Sequence, residues 1–173
     1  MSIAQRIIAT SGLPGAGKST IAEGLSQKLQ TPVFSVDPIE AAMWVSGLAP
    51  TETGIAAYRV AEALAAENLR LGHSVIIDAV NPVDAARAMW RNLSDTHRVP
   101  LTFIEVICSD ATLHRQRIDA RVRNIDGMPE VTWEQVLERK AEFEDWTDDR
   151  LLLDTATETP DVLIDRALSH IRT

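Results

Sequence analysis

The sequence predicts an α/β protein of three layers, with a five-stranded parallel sheet between two layers of helices. Five short apolar runs alternate with longer segments whose apolar residues recur at helical spacing, which is typical of βα units. A glycine-rich turn, TSGLPGAGKST, stands between the first apolar run and the first helical pattern. The length of 173 residues suits one domain with its own core, so we predict a single domain over residues 1–173.

The first three elements follow from the spacing of apolar residues. The run RIIAT at Arg6–Thr10 predicts a buried strand that leads directly into the glycine-rich turn. Isoleucine and leucine residues four apart predict a helix over Lys18–Gln30, because this spacing places them on one helix face. Pro32 stops that helix, and VFSV at Val33–Val36 predicts the second strand.

The middle of the chain is predicted to hold two helices and the third strand. Asp37 followed by Pro38 predicts a helix start, with Asp37 as the N-cap and Pro38 at the first helical position. Residues 47–53 are expected to form a loop, and the alanine-rich segment Gly54–Leu71 a helix. The short, β-branched run SVIID at Ser74–Asp78 predicts the third strand.

The second half repeats the alternation of helical patterns and apolar runs. An arginine-rich helical segment runs to Arg123, followed by the loop IDGMPEV and then by an acidic helix. The predicted helices are Asp84–Leu93, the segment ending at Arg123, Trp133–Trp146 and Asp161–Ile171, and the predicted strands are Leu101–Cys108 and Leu151–Asp154.

Charge and cysteine content argue against several classes of protein. The net charge of −8 disfavours an extended nucleic-acid surface, because phosphate backbones are bound mainly by clustered Lys and Arg. Cys108 is the single cysteine and cannot form an internal disulfide, which fits a reducing cytoplasm. No apolar run reaches the roughly 18 residues of a membrane-spanning helix, and the N-terminal apolar stretch is too short for a secretory signal. We therefore expect a cytoplasmic protein without a membrane partner.

The glycine-rich turn matches the phosphate-binding pattern G-x-x-x-x-G-K-[ST]. Glycines let the backbone curl so that N–H groups point at a phosphate, and the following helix adds the positive end of its dipole. Lys18 would reach the β- and γ-phosphates, and the Ser19 hydroxyl would bind Mg²⁺. The alternative is a plain turn with a surface lysine. The predicted nucleotide-binding residues are Gly12, Leu13, Pro14, Gly15, Ala16, Gly17, Lys18, Ser19 and Thr20.

Carboxylates follow the second and third predicted strands, whose carboxyl ends face one crevice in a parallel sheet. Asp37 would lie opposite the phosphate donor and take the proton of an acceptor hydroxyl, or it serves only as a helix cap. Asp78 would hold Mg²⁺ or position the acceptor, or it caps the following turn. Asn81 is a further polar candidate at the same edge.

Positive charge is concentrated in HRQRIDARVR, which holds four arginines and one aspartate. Arg117 and Arg121 are four residues apart and share a helix face, so they are predicted to close over a transferring phosphoryl group. Arg115 and Arg123 are weaker candidates in this lid, which spans residues 115–131. The alternative is a solvated face that pairs with the acidic segment that follows it.

Other ligand-binding patterns are weak. The four histidines and one cysteine show no metal-ligand spacing. The four tryptophans lie in predicted helices beside apolar neighbours, so we expect them to pack rather than to stack on bases. No Asn-Lys-x-Asp segment for guanine recognition occurs, which disfavours a GTPase.

Taken together, SGLPGAGKST, FSVD, VIIDAVNP and RQRIDARVR, with a terminal strand and helix, resemble the small P-loop kinases. The pattern is similar to the AAA_33-type ATP-binding phosphotransferases, which include the 5′-kinase domain of polynucleotide kinase and chloramphenicol phosphotransferase, and more distantly to zeta toxins and gluconate kinases. The resemblance implies a P-loop NTPase fold of the nucleoside-monophosphate-kinase type, with strand order 2-3-1-4-5 and an arginine-bearing lid. It also implies ATP and Mg²⁺ as cofactors and Asp37 as the general base.

The resemblances point to different acceptors. The stretch VDPIEAAM resembles chloramphenicol phosphotransferase, whereas VIIDAVNP resembles polynucleotide kinases. Polynucleotide kinases often have Arg just after the base, where this chain has Pro38, and the acidic net charge also disfavours a nucleic-acid end. Our hypothesis is a kinase that transfers the γ-phosphoryl group of Mg·ATP to a hydroxyl of a small molecule. The alternatives are a nucleotide-binding switch or regulatory ATPase and a binding module without catalysis, and the oligomeric state stays open.

Overall fold

The computed structural model describes residues 4–122 and 125–172. Strands and helices alternate along these residues. The strands are β1 (Ile7–Ser11), β2 (Val33–Ser35), β3 (Val75–Asp78), β4 (Leu101–Ile107) and β5 (Arg150–Asp154). The helices are α1 (Lys18–Leu29), α2 (Val36–Val45), α3 (Pro50–Arg70), α4 (Asp84–His97), α5 (Ala111–Ala120), α6 (Trp133–Ala141) and α7 (Pro160–Ile171).

The strands form one parallel sheet in the order β2-β3-β1-β4-β5, and helices cover both of its faces. The predicted five-stranded sheet and the implied order 2-3-1-4-5 are both confirmed. β1 is central, and Ile7, Ile8 and Ala9 are fully buried. Ile7 and Ala9 pack with α3 and α4, whereas Ile8 packs with α1 and α7. A strand covered on both faces therefore needs the continuous apolar run seen in the sequence.

The strands β2, β3 and β1 end at one level of the sheet. The register pairs Ser35 with Asp78 and Asp78 with Thr10. The glycine-rich turn leaves β1 directly after Ser11, so it starts at the same edge as these polar side chains. Ligands of open α/β sheets bind at this edge, outside the carboxyl ends of the strands.

The start of α2 differs from the prediction. β2 ends at Ser35 and α2 begins at Val36, which makes Ser35 the N-cap residue. The prediction that Asp37 caps the helix is therefore wrong, because Asp37 and Pro38 lie inside the first turn. Proline is tolerated there since the first N–H groups of a helix have no intrahelical acceptor. The carboxylate of Asp37 instead lies near the positive end of the helix dipole.

The helix α3 begins at Pro50, so the predicted loop at 47–53 is wrong from that residue onward. Pro50 occupies the first helical position, where its missing N–H costs nothing. The Glu52 carboxylate accepts a hydrogen bond from the N–H of Ala49 at 3.4 Å. Both start signals were present in a segment whose composition resembles a loop.

The helix α6 ends at Ala141, short of the predicted end at Trp146. Long-range contacts hold the following segment in a non-helical course. Nη2 of Arg87 donates to the carbonyl of Asp145 at 3.0 Å, and its guanidinium lies 4.8 Å from the centre of the Trp146 ring. Trp146 also packs edge-on against Phe103, with ring centres 5.4 Å apart. Residue spacing alone therefore cannot predict where α6 ends, because these contacts come from distant segments of the chain.

The helix α5 ends at Ala120, with Arg121 as its C-cap, and the predicted end at Arg123 lies outside the described residues. The helix α4 continues past the predicted end at Leu93 to His97. None of the helices in the described part of the chain is long and apolar enough to cross a membrane.

Candidate active site

The glycine-rich turn adopts backbone angles that favour glycine. Gly12 and Gly17 have φ angles of +137° and +105°, a region that other residues rarely enter. A Cβ at Gly12 would lie 2.0 Å from the carbonyl oxygen of Val106, so no larger residue fits there. Gly17 is the N-cap of α1, and Lys18 is its first residue. The turn therefore has the curled backbone and the helix start that a phosphate cradle requires.

A cleft of about 500 Å³ lies beside this turn, and we call it the P-loop cleft. It brings together the turn, the start of α1, the end of α5 and Thr155 in the loop after β5. Lys18 Nζ donates to the carbonyl of Leu13 at 3.1 Å, so the side chain folds back over the turn. The predicted residues that line it are Gly15, Gly17, Lys18, Ser19, Thr20, Arg117 and Arg121.

The remaining residues of the turn do not line the P-loop cleft. Gly12 and Ala16 are buried, and Leu13 is half-buried. Pro14 lines a second cleft that is described below. The turn is thus the wall that two clefts share.

Asp78 is buried under the P-loop cleft and accepts hydrogen bonds from three hydroxyl groups. Its Oδ2 accepts from Ser19 Oγ at 2.7 Å and from Ser35 Oγ at 3.2 Å, and its Oδ1 accepts from Thr10 Oγ1 at 3.1 Å. The side chain is therefore directed to the turn and the sheet edge. The adjacent Ser19 and Asp78 oxygens are ligands of the kind that Mg²⁺ prefers.

Arg117 is anchored at the P-loop cleft by Thr155. Its Nη1 donates to Thr155 Oγ1 at 2.7 Å and its Nη2 to the Thr155 carbonyl at 2.9 Å. Thr155 Oγ1 in turn lies 2.8 Å from the carbonyl oxygen of Ala16, to which it donates. Sequence reasoning missed Thr155, whose only signal is its position directly after the last strand. Arg115 instead forms an exposed ion pair at 3.8 Å with Asp119 of its own helix. It is therefore solvated, but its partner is not in the acidic segment that follows.

The helix α5 packs directly on the glycine-rich turn. Nε2 of buried His114 lies 2.7 Å from the carbonyl oxygen of Pro14, so this nitrogen carries the proton and donates it. A Cβ at Gly15 would lie 2.6 Å from Cδ1 of Ile118, which shows how closely the helix approaches. Burial lowers the pKa of His114, against the opposing effect of the hydrogen bond to Pro14. Sequence reasoning considered the histidines only as metal ligands and missed this contact.

The second cleft has a volume of about 680 Å³ and lies on the other side of Pro14. It is bounded by α2, α3, the start of α4, residues 128–131 and α6, and we call it the α2 cleft. Asp37 lines it, together with Glu40, Trp44, Tyr58, Met89 and Arg139. We expected all four tryptophans to pack in the interior, but Trp44 lines this cleft. Sequence reasoning identified Asp37 here and missed the others. Glu40 and Trp44 lie on α2 with Asp37, whereas Tyr58, Met89 and Arg139 come from α3, α4 and α6.

Asn81 has a structural role at the sheet edge. Its Nδ2 donates to the carbonyl of Thr10 at 2.9 Å, and its Oδ1 accepts from Trp90 Nε1 at 2.8 Å. Its backbone N–H donates to the hydroxyl of Tyr58 at 3.1 Å. Burial raises the pKa of Tyr58 to about 12, so that this hydroxyl stays protonated. The side-chain amide of Asn81 therefore forms hydrogen bonds within the protein, to β1 and to Trp90 of α4.

The AAA_33 family model, which describes an AAA domain, matches residues 7–145. This chain belongs to that family. The match includes the glycine-rich turn, both strand-end carboxylates and α5. Comparison with curated protein sequences finds no match.

Several solved structures that are similar to this AAA_33 member are kinases. A sugar kinase from Janibacter sp. is 21% identical, with a TM-score of 0.71 and coverage of 98% of this chain and 99% of that chain. The APS kinase CysC of Mycobacterium tuberculosis, in complex with AMPPNP and APS, is 16% identical, with a TM-score of 0.71 and 99% of each chain covered. A gluconokinase from Sinorhizobium meliloti is 17% identical, with a TM-score of 0.68 and coverage of 99% and 93%. The chain therefore has the P-loop kinase fold.

Proposed function

We propose that this protein is an ATP-dependent kinase that transfers the γ-phosphoryl group of Mg·ATP to a hydroxyl of a small-molecule acceptor. The observation that carries this proposal is the pair of clefts on either side of the glycine-rich turn. Gly15 lines the P-loop cleft and its neighbour Pro14 lines the α2 cleft, which also holds Asp37. A donor in the first cleft and an acceptor in the second would thus meet at one turn.

The P-loop cleft supplies the groups that bind a nucleotide's phosphates. Lys18 and the N–H groups at the start of α1 would bind the β- and γ-phosphates, and Arg117 and Arg121 would stabilise charge on the transferring group. Ser19 and Asp78 would hold Mg²⁺, which neutralises phosphate charge when bound. The described residues include no cluster of three or more His, Cys, Asp or Glu suited to a metal. Two protein oxygens with phosphate and water oxygens are a common set of ligands for this ion.

The acceptor hydroxyl would be activated by Asp37. Its carboxylate takes the proton as the acceptor oxygen forms a bond to the γ-phosphorus. The bond from that phosphorus to the β–γ bridging oxygen breaks, and the electron pair leaves with ADP. The products are a phosphate ester, ADP and the proton held by Asp37, so atoms and charges balance.

The α2 cleft favours a kinase over the alternatives. A nucleotide-dependent switch needs the P-loop cleft but has no use for a second cleft of about 680 Å³ with a carboxylate beside the turn. A binding module without catalysis likewise has no use for a carboxylate at the wall of a second cleft beside the turn. The cytoplasmic location stays a prediction, which agrees with the use of ATP.

The direct test is a screen of small alcohols with ATP labelled at the γ-phosphorus. We expect labelled product with at least one acceptor, above the hydrolysis measured without acceptor. Lys18→Ala is the control and should abolish both transfer and tight Mg·ATP binding, because it removes the cation at the phosphates. Hydrolysis that no alcohol diverts, together with partner binding that depends on ATP, would support the switch instead.

A further inference from the structure

We propose that the acceptor is an amino alcohol that carries a protonated amine and an apolar group. Its hydroxyl would face Asp37, and its ammonium would bind Glu40 in the α2 cleft. This inference rests on the proposed kinase function, because it names the substrate class of the same site. The cavity itself is the first evidence, since its volume of about 680 Å³ lies in the range of pockets that bury small ligands.

One face of α2 presents three functional groups to this cavity. Asp37, Glu40 and Trp44 all line the α2 cleft, and their spacing of three and four residues places them on one helix face. Glu40 is one turn further along than Asp37, about 4.5 Å along the helix axis. An acceptor lying along α2 with its hydroxyl at Asp37 would therefore place its next groups at Glu40 and then at Trp44.

Glu40 is held in position by a partly buried hydrogen-bond network. Its Oε1 accepts from Oγ1 of Thr53 at 3.0 Å, and the same Oγ1 accepts from Trp44 Nε1 at 2.6 Å. Thr53 is fully buried and Glu40 and Trp44 are half-buried, so the network joins the cleft wall to the protein interior. A carboxylate has more acceptor sites than this single contact uses, and charge-assisted hydrogen bonds to an ammonium are among the stronger ones.

The charges of the cleft disfavour an anionic acceptor. Among the residues that the structure describes, five carboxylates and two guanidinium groups line it. Each guanidinium already lies beside a carboxylate, with Arg59 Nη1 at 2.8 Å from Glu62 and Arg139 Nη1 at 3.5 Å from Glu142. An anionic acceptor would have to displace these pairs and lie beside Asp37. A cationic acceptor instead gains from the excess negative charge.

The rest of the lining accounts for the apolar group. Most of the cavity wall is apolar or aromatic, and it includes Trp44, Ile55, Tyr58, Met89 and Met128. An apolar group would bury hydrocarbon surface here, which favours binding in proportion to the buried area. The face of the Trp44 ring also attracts cations. The ammonium keeps its proton throughout, so the hydroxyl oxygen is the nucleophile and the product is the phosphate ester of the amino alcohol.

Three probes share a phenyl ring and a hydroxyl group and differ in charge, so they test how charge affects affinity. These are phenylalaninol, which is cationic, N-acetylphenylalaninol, which is neutral, and 3-phenyllactate, which is anionic. Calorimetric titration with the non-hydrolysable analogue AMPPNP present measures their affinities without turnover. We expect phenylalaninol to bind about tenfold more tightly than the neutral probe, and 3-phenyllactate to bind more weakly still.

Glu40→Gln tests whether Glu40 is the group that recognises the amine. The glutamine side-chain oxygen can still accept from Thr53, so the network and the fold are preserved. The preference for phenylalaninol over its acetylated form should fall to about threefold or less, with the affinity for the neutral probe unchanged. Glu134→Gln on α6 is the matched control, because Glu134 is exposed and does not line the cleft. It should keep the full preference.

The outcomes separate this inference from the proposed function. Equal affinities for the three probes, or tightest binding of 3-phenyllactate, would overturn the inference, as would binding of none of them. A full amine preference in Glu40→Gln would also overturn it. Phosphoryl transfer to neutral or anionic alcohols alone would leave the kinase proposal intact. Charge-dependent binding without transfer to any alcohol would support the amine site and contradict the kinase.

Discussion

Asp37 lies in the first turn of α2, half-buried at the wall of the α2 cleft. We expect Asp37→Asn to lose phosphoryl transfer by roughly 10²–10⁴-fold, because asparagine cannot take the acceptor proton. Removing a negative charge from a helix start should cost only about 0.3–1 kcal/mol of stability. Binding of Mg·ATP should stay near native, since Asp37 does not line the P-loop cleft. Melting temperature, ATP titration and product formation measure the three effects in turn. Transfer at the wild-type rate would exclude Asp37 as the base.

Arg117 and Arg121 line the same cleft and differ in their structural roles. Arg121→Ala should lower the transfer rate by about 10²-fold with a much smaller loss of ATP affinity, because its charge matters most as the transferring group becomes more negative. Arg117→Ala should lower the rate and also destabilise the fold by roughly 1–3 kcal/mol, because it removes two hydrogen bonds to Thr155.

Arg115→Ala is the matched control for these two variants. Arg115 is on the same helix and forms only an exposed ion pair with Asp119. Single-turnover rates and ATP titrations of the three variants can be compared directly. If Arg115→Ala and Arg121→Ala had the same rate, Arg121 would have no specific role in transfer.

The candidate site residues that the sequence predicts are those marked by a short motif or by their position at the end of a strand. Lys18 and Ser19 belong to one short motif, and Asp78 ends a strand, so a single stretch of chain determines each of them. Glu40 and Thr155 depend on how distant segments pack, and neither has a motif of its own. The structure was therefore needed to find Glu40 and Thr155 as candidates, whereas the sequence alone was enough to propose Lys18, Ser19 and Asp78.

At the scale of elements, α5 is joined to the glycine-rich turn by the hydrogen bond from His114 to Pro14. Because burial lowers the pKa of His114, the unfolded chain binds a proton more readily than the folded chain. The stability from neutral His114 is thus present above its ordinary pKa and is lost as pH falls through that value toward the folded pKa.

His114→Gln should reduce this pH dependence. The glutamine amide can donate to Pro14 and does not titrate. The fall in melting temperature between about pH 7.5 and about pH 5.5, where histidine changes charge, should therefore be smaller than in the wild type. His170→Gln is the control, because His170 is exposed on α7 and does not contact the glycine-rich turn. If both variants kept the wild-type slope, the His114 contact would not govern it.

The elements themselves were predictable because periodicity and strand-to-helix alternation reflect which faces are buried. The errors occur at helix ends, where other signals decide. At Pro50 a start signal lay within loop-like composition, and at Ala141 the helix stops because Arg87 and Trp146 hold the next segment elsewhere. The first error was avoidable from sequence, whereas the second requires tertiary contacts.

At the scale of the whole molecule, the net charge of −8 and the acidic α2 cleft both oppose a polynucleotide acceptor. We expect no measurable binding of single-stranded oligonucleotides at physiological salt by fluorescence anisotropy. A nucleic-acid enzyme would instead lose about 0.7–0.9 log units of affinity per phosphate contact for each log unit of salt. Binding with such a slope, together with label on 5′ ends, would contradict the small-molecule assignment.

The direct junction of β2 and α2 has a consequence for how acceptor choice can vary. Ser35 ends the strand and Val36 begins the helix, so no connecting loop separates them. Each added residue in an α-helix turns everything beyond it by about 100°. One residue added to the helix between Val36 and Asp37 would therefore rotate Asp37, Glu40 and Trp44 together, away from the cleft, relative to Val36. Replacing Glu40 or Trp44 does not rotate the helix and keeps Asp37, the proposed base, in the cleft. If α2 binds the acceptor as proposed, its specificity can change by exchange of side chains along α2, whereas a residue added at the start of this helix would disrupt the whole proposed acceptor site.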